Sequence, residues 1–243
     1  MYFRFTLRSG IILLALSLLI SSCTGSGSGS DGGITTSQTG TNGGFTYELW
    51  NQNEIGSVNM GLREDGTFDI TWSGIYNMLA RNGVRPGQNV TSVTYNVDDY
   101  TVSGGISYLC VYGWFYNGNY EDLVEYYIVE NWVNYNPASN ATYYGSVTVD
   151  DDTYVLYTSI RTNQPSIHPD GNSTFTQYWS IRQTSDLRTS GTIDVPAHFQ
   201  AWEDAGLTIG STRHEVSFCI EGFGMNNSGI GYANVSELSF DTE

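Results

Sequence analysis

The chain is 243 residues long, has no lysine, and sets nine arginines against 25 carboxylates for a formal net charge of −16. A surface of that sign repels nucleic acid and anionic membranes, so polyanion binding is not expected. Aromatic residues make up 14% of the chain, charged residues only 14%, and there are 18 tyrosines and 28 glycines; this mixture suits twisted strands and turns, and the length suits one large all-β domain.

At the N-terminus Arg4 and Arg8 precede the apolar run "GIILLALSLLI", with no acid before it. The run is too short to span a bilayer comfortably and is followed by small residues, the pattern of a secretory signal over residues 1–23. Its end, "LLISSC", looks like a bacterial lipobox, in which Cys23 would carry the lipid. Residues 24–43, rich in Gly, Ser and Thr, then read as a flexible linker to a domain at 44–243. The expected location is exported, as a bacterial cell-surface or periplasmic lipoprotein or otherwise secreted, touching a membrane only through that lipid.

From Gly44 onward, short alternating segments punctuated by Gly, Asn and Asp continue almost to the end, among them "FTYELWNQ", "GTFDITWS", "TSVTYNVDDYTV", "SYLCVYGWFY", "LVEYYIVENW", "TYVLYTSIRT", "HEVSFCIEGF" and "IGYANVSELSF". Their spacing predicts a β-sandwich or a β-jelly roll, two packed, strongly curved antiparallel sheets. One stretch departs from it. Residues 195–207, "VPAHFQAWEDAGL", have Pro196 at the first turn, Gly206 near the end, and Phe199, Trp202 and Leu207 at helical spacing, which predicts a single helix across a sheet. No internal repeat or second domain is visible, and a monomer is expected.

Three strands carry the candidate chemistry. In "LVEYYIVENW" alternation puts Leu123, Glu125, Tyr127 and Val129 on one face and Val124, Tyr126 and Ile128 on the other. "SYLCVYGWF" offers Tyr108, Cys110, Tyr112 and Trp114 on one face, and "HEVSFCIEGF" offers Glu215, Ser217, Cys219, Glu221 and Phe223. Each strand thus pairs an aliphatic face, fit to pack on a second sheet, with a face of aromatics and carboxylates, fit to line an open cleft. Sugars suit such a cleft, because their C–H faces stack on aromatic rings and their hydroxyls bond to polar groups. Two glutamates within it supply the pair of carboxyls that glycoside hydrolysis needs. Cys110 and Cys219 can form at most one disulfide, and the sequence leaves open whether they do. His168, His198 and His214 lack ligand-like spacing, so no metal or cofactor is expected.

"LVEYYIVENW" and "FCIEGFGMNNSG" resemble the two glutamate signatures of the family 11 glycoside hydrolases, the endo-β-1,4-xylanases. "QPSI" followed by "TFTQYW" resembles that family's thumb and the strand after it, and the motifs keep the family's order from about Gly44 to Phe240. The resemblance implies a metal-free enzyme that cuts internal β-1,4 bonds of xylan with retention, Glu125 as nucleophile and Glu221 as general acid/base. It further implies that Tyr112 and Tyr127 hold the nucleophile and the −1 sugar, and that Trp50 stacks on the −2 sugar. Arg161 and Gln177 would bond sugar hydroxyls, and Pro165 would cover the substrate from the thumb tip. Asn77 aligns with the position beside the acid/base, where an amide implies a near-neutral pH optimum. Phe223, also expected at the substrate, stands where Tyr or Trp is usual and would stack on a sugar without donating an O–H, and Glu215 stands where an aromatic is common. Two other readings remain: a non-catalytic xylan- or cellulose-binding module on the same sandwich, and a sibling β-1,4-endoglucanase; the choice of xylan rests on the resemblance.

Overall fold

The computed structural model describes residues 32–183, 185 and 187–243. The signal-like segment, Cys23 and the start of the linker lie outside the described residues. The described chain forms strands β1 (Gln38–Asn42), β2 (Phe45–Asn51), β3 (Ser57–Leu62), β4 (Phe68–Ile75), β5 (Asn77–Val84), β6 (Val90–Gly104), β7 (Ile106–Asn117) and β8 (Glu121–Val133). There follow β9 (Thr142–Val149), β10 (Asp152–Pro165), β11 (Asn172–Arg182), β12 (Ser190–Asp194), helix α1 (Val195–Asp204), β13 (Thr212–Arg213), β14 (Val216–Phe223) and β15 (Gly229–Thr242).

The larger sheet has the order β1-β2-β5-β14-β7-β8-β11-β10-β9, with β13 added beside β7, and the smaller has the order β12-β6-β15-β4-β3. The expected antiparallel pairing is kept except between β8 and β11, which run parallel because β9 and β10 intervene before the chain returns beside β8. Alternation sorts the three key strands as anticipated. Val124, Tyr126 and Ile128, with Leu109, Val111 and Phe115 and with Val216, Phe218 and Ile220, pack in the core against Ile70, Trp72 and Tyr95 of the smaller sheet. Each such side chain contributes roughly 1.5–3 kcal/mol by leaving water. Cys110, Tyr112, Trp114, Tyr127, Val129 and Cys219 face the other way and join Phe175 and Trp179 in a second apolar cluster, the floor of the concave side.

Helix α1 is capped by Asp194, whose side chain accepts from the Ala197 N–H at 2.9 Å; it ends at Asp204 rather than 207 because Gly206 turns left-handed, at φ +83°. Phe199 and Trp202 press it onto the core, with ring centroids 4.9 Å from Phe115 and 5.9 Å from Tyr126. Four strands are not evident in the sequence pattern, one of them the two-residue β13. β1 and the bridge from Ile34 to Met60 lie within the Thr-rich stretch read as linker, so strand pairing begins before Gly44. β3 is broken up by "NMG". β5 contains "RNG", which reads as a turn; Gly83 is there because a Cβ would stand 2.3 Å from the Val216 carbonyl oxygen of β14. Cys110 and Cys219 are directly paired across β7 and β14, both buried and both free thiols.

Candidate active site

The order β14-β7-β8-β11 sets Glu221, Tyr112, Glu125 and Gln177 on successive strands, all on the concave face. Glu125 and Glu221 are each only 7% exposed. Both line one cavity, together with Trp50, Asn77, Tyr112, Tyr127, Arg161, Pro165 and Gln177. Nine of the ten residues expected around the reaction therefore meet in one place. Phe223 is outside that cavity; its ring packs on Tyr76 at a centroid distance of 5.4 Å.

Glu125 is held from two sides. The Tyr112 hydroxyl donates to Oε1 at 2.8 Å and itself receives the Trp114 indole N–H at 2.7 Å, so the tyrosine proton is directed at the carboxylate. The Gln177 amide donates to Oε2 at 2.7 Å. That amide is in turn oriented by Ser159, which donates to its oxygen at 2.9 Å while accepting from the Trp179 indole at 3.0 Å. Burial raises the Glu125 pKa, while the bonds from Gln177, Tyr112 and Tyr127 and the charge of Arg161 favour the anion.

Burial leads and the net shift is upward at both carboxyls, but Glu221 carries a further cause. Burial first, and the negative charge of Glu125 second, push its pKa up to about 8 against a smaller pull from Arg161, Asn77 and Tyr127. Its Oε2 is buried without a hydrogen-bond partner among the described residues. Near neutral pH the cavity thus pairs a carboxyl that keeps its proton with one whose hydrogen bonds stabilise its charge, which is the division of labour required for protonating a leaving oxygen and attacking the carbon it leaves. Among the described residues, no group of three or more His, Cys, Asp or Glu could hold a metal ion.

The thumb follows from local chemistry. A bulge between Arg161 and Gln164, with Asn163 left-handed at φ 51°, bends the end of β10. The turn closes through Ser166 N–H to the Gly171 carbonyl at 2.9 Å, and Gln164, Pro165, Ser166 and Ile167 reach the cavity.

One group of site residues was not foreseen. Arg81 lines the cavity, is 4% exposed, and donates to Glu215 Oε2 at 3.2 Å and to Glu48 Oε2 at 2.8 Å. Arg85 joins Glu48 and Glu215 at 3.2 and 3.0 Å, and the two arginines hold Glu215 down to about 2. The Arg81 guanidinium also lies 4.7 Å over the Tyr112 ring. The sequence signal was Glu215 itself, a carboxyl where the resemblance leads one to expect an aromatic. Another buried carboxyl, Glu130, lies on the core side of β8 and accepts from Tyr95, Tyr154 and Arg188.

The family described as glycosyl hydrolases family 11 matches residues 42–235. The chain is 43% identical over 220 residues to a protein of Ruminococcus flavefaciens named xylanase/beta-glucanase, covering 84% of this chain and 26% of that protein. It is 45% identical over 209 residues to an endo-1,4-beta-xylanase A of Thermoclostridium stercorarium, covering 83% and 29%. It is 40% identical over 200 residues to an endo-1,4-beta-xylanase A of Bacillus pumilus, covering 80% and 82%. The chain therefore spans less than a third of the first two relatives and most of the third. Among solved structures it is similar to the family 11 xylanase from Neocallimastix patriciarum, with TM-score 0.74 and 35% identity, covering 86% of this chain and 99% of that one.

Proposed function

The chain belongs to the family 11 glycosyl hydrolases, and on that premise we propose that it is an endo-1,4-β-xylanase acting with retention. The observation that carries the reading is a pair of buried carboxyls in one cavity, Glu125 with its anion bonded by Tyr112 and Gln177, and Glu221 pushed up to about 8 by burial and by the charge of Glu125. Trp50 stacks on one sugar, Arg161 and Gln177 bond hydroxyls, and Pro165 covers the chain from the thumb. Glu125 attacks the anomeric carbon as the glycosidic C–O bond breaks, and Glu221 passes its proton to the leaving oxygen. Esterification removes the Glu125 charge, which is one of the two causes holding the Glu221 pKa up. The Glu221 pKa therefore falls, and the carboxylate left by proton donation stays ionised and available as the base: it takes a proton from the water that attacks the same carbon, and Glu125 leaves as the carboxylate. Two displacements restore the original β configuration.

Reducing-sugar release from xylan and from soluble cellulose, with the intact protein and with Glu125→Gln, tests this directly. Release from xylan that the substitution abolishes is the expected result. Polymer bound but neither substrate cut would replace the enzyme with a binding module, and cellulose cut in place of xylan would replace the substrate. The leader-like pattern of residues 1–23 supports export with lipid attached at Cys23, and the protein acts as a monomer on this reading.

A further inference from the structure

Strand register sets aromatic residues side by side well beyond the two glutamates. Tyr112 pairs with Tyr127, Tyr127 with Trp179, Trp179 with Tyr157, and Tyr157 with Tyr143, on the successive strands β7, β8, β11, β10 and β9. Directly paired residues share a face of a sheet. Tyr127 stacks on Trp179 at a centroid distance of 4.2 Å, and Tyr157 meets Tyr143 edge-on at 5.8 Å. Tyr157 packs against the concave cluster, which fixes the face.

Exposure rises along the row. Tyr127 and Trp179 are buried, whereas Tyr143, on the edge strand, is 63% exposed. An edge strand is ordinarily blunted by charge, yet β9 reads "TYYGSVTV" with no charged residue. A hollow of about 350 Å³ opens beside the row, lined by Tyr157 and Ile181 and by the polar side chains of Asn136 and Gln183. Ring faces beside amides match what a sugar chain offers, C–H faces and hydroxyl edges.

The position in the sheet decides which part of the substrate this is. Trp50 is on β2, near one flank, and Tyr143 is on β9, at the other, with Glu221 and Glu125 on strands between them. β9 lies three strand spacings, ~14 Å, beyond the strand of Glu125. We propose that Tyr157 and Tyr143 form an accessory stacking surface for a β-1,4-linked sugar chain leaving the site on the side away from Trp50, an inference that rests on the xylan reading above. The surface continues the cleft, so its occupant is the same polymer, held several sugars from the bond that is cut.

The test is substrate length. kcat/KM is measured on long xylan chains and on xylotriose for the parent protein and for Tyr143→Ala, Tyr157→Ala and Tyr144→Ala. Tyr144 is the neighbouring, 40% exposed tyrosine of the same strand, and it serves as the control. The ratio of long to short falls about threefold to tenfold in the first two variants, mainly through KM, as loss of one ring contact implies, and stays at the parent value in Tyr144→Ala. An unchanged ratio in Tyr143→Ala, or an equal fall in Tyr144→Ala, overturns the proposal. Mobility of the Glu125→Gln protein in xylan-containing gels, with and without Tyr143→Ala, reads the same surface without turnover: retardation weakened by the second substitution supports it, and retardation left intact refutes it. Failure of the parent to cut xylan while retardation still depends on Tyr143 removes the enzymatic reading and leaves the stacking surface standing.

Discussion

Replacing Glu125 by Gln removes one of the two causes that keep Glu221 protonated, and the size of the effect follows from the geometry of a retaining pair. Two carboxyls ~5.5 Å apart, in surroundings of effective dielectric constant ~20, repel by about 3 kcal/mol when both are charged. That corresponds to about two pH units. Glu221 should therefore titrate near pH 6 in the Glu125→Gln protein, down from about 8, with burial alone holding it above its ordinary value. A carbon-13 NMR titration of the labelled Glu221 side chain, in the parent and the variant, reads both midpoints. A midpoint that stays near 8 would mean that burial does all the work, and that the two charges are too far apart to be partners in one displacement.

The same logic applies to the acid side of the pH profile. Tyr112→Phe deletes an O–H that donates to the Glu125 anion; at roughly 1.5–3 kcal/mol for a bond to a charged group, the acid limb of kcat/KM moves up by about one to two pH units, and a limb that does not move contradicts the role given to that bond. Arg81→Met leaves buried Glu215 and half-buried Glu48 with Arg85 as their remaining cation and lowers stability to urea by about 3 kcal/mol, the low end for a broken buried pair; Arg81→Met with Glu215→Gln recovers part of it, and a double variant no more stable than the single one would argue against a paired network. Because Glu215 is held down to about 2, the stability it contributes is present above its ordinary value of 4.5 and is lost as pH falls toward 2. Glu215→Gln alone should flatten the fall in stability over that window, measured as urea midpoint against pH.

The site was more legible than the frame around it, for physical reasons. β7, β8 and β14 lie in the middle of a two-faced sheet, where period-two alternation must separate core from cleft, so Glu125 and Glu221 were assigned to the cleft from their neighbours alone. Gln177 and Arg161 needed the family motifs, because a single polar residue on an alternating strand reads as an ordinary solvated position. Arg81, Glu48 and Glu215 escaped as a group since their contacts join residues up to 134 positions apart, and a lone arginine in "MLARNGV" looks like a solvated turn. Gly83 disguised β5 by the same rule that makes it necessary, the absence of a side chain where β14 comes close. The parallel pairing of β8 with β11 depends on where a later hairpin is inserted, which local patterning does not encode.

The anomeric configuration of the first-formed product is the most direct measurement on the whole account. Proton NMR during the opening minutes of xylan hydrolysis, before mutarotation, should show the β anomer accumulating first, as two displacements at one carbon by Glu125 and then water require. An initial α anomer would mean single displacement by water, with a wider carboxyl pair, and the assignment of Glu125 as nucleophile would fall.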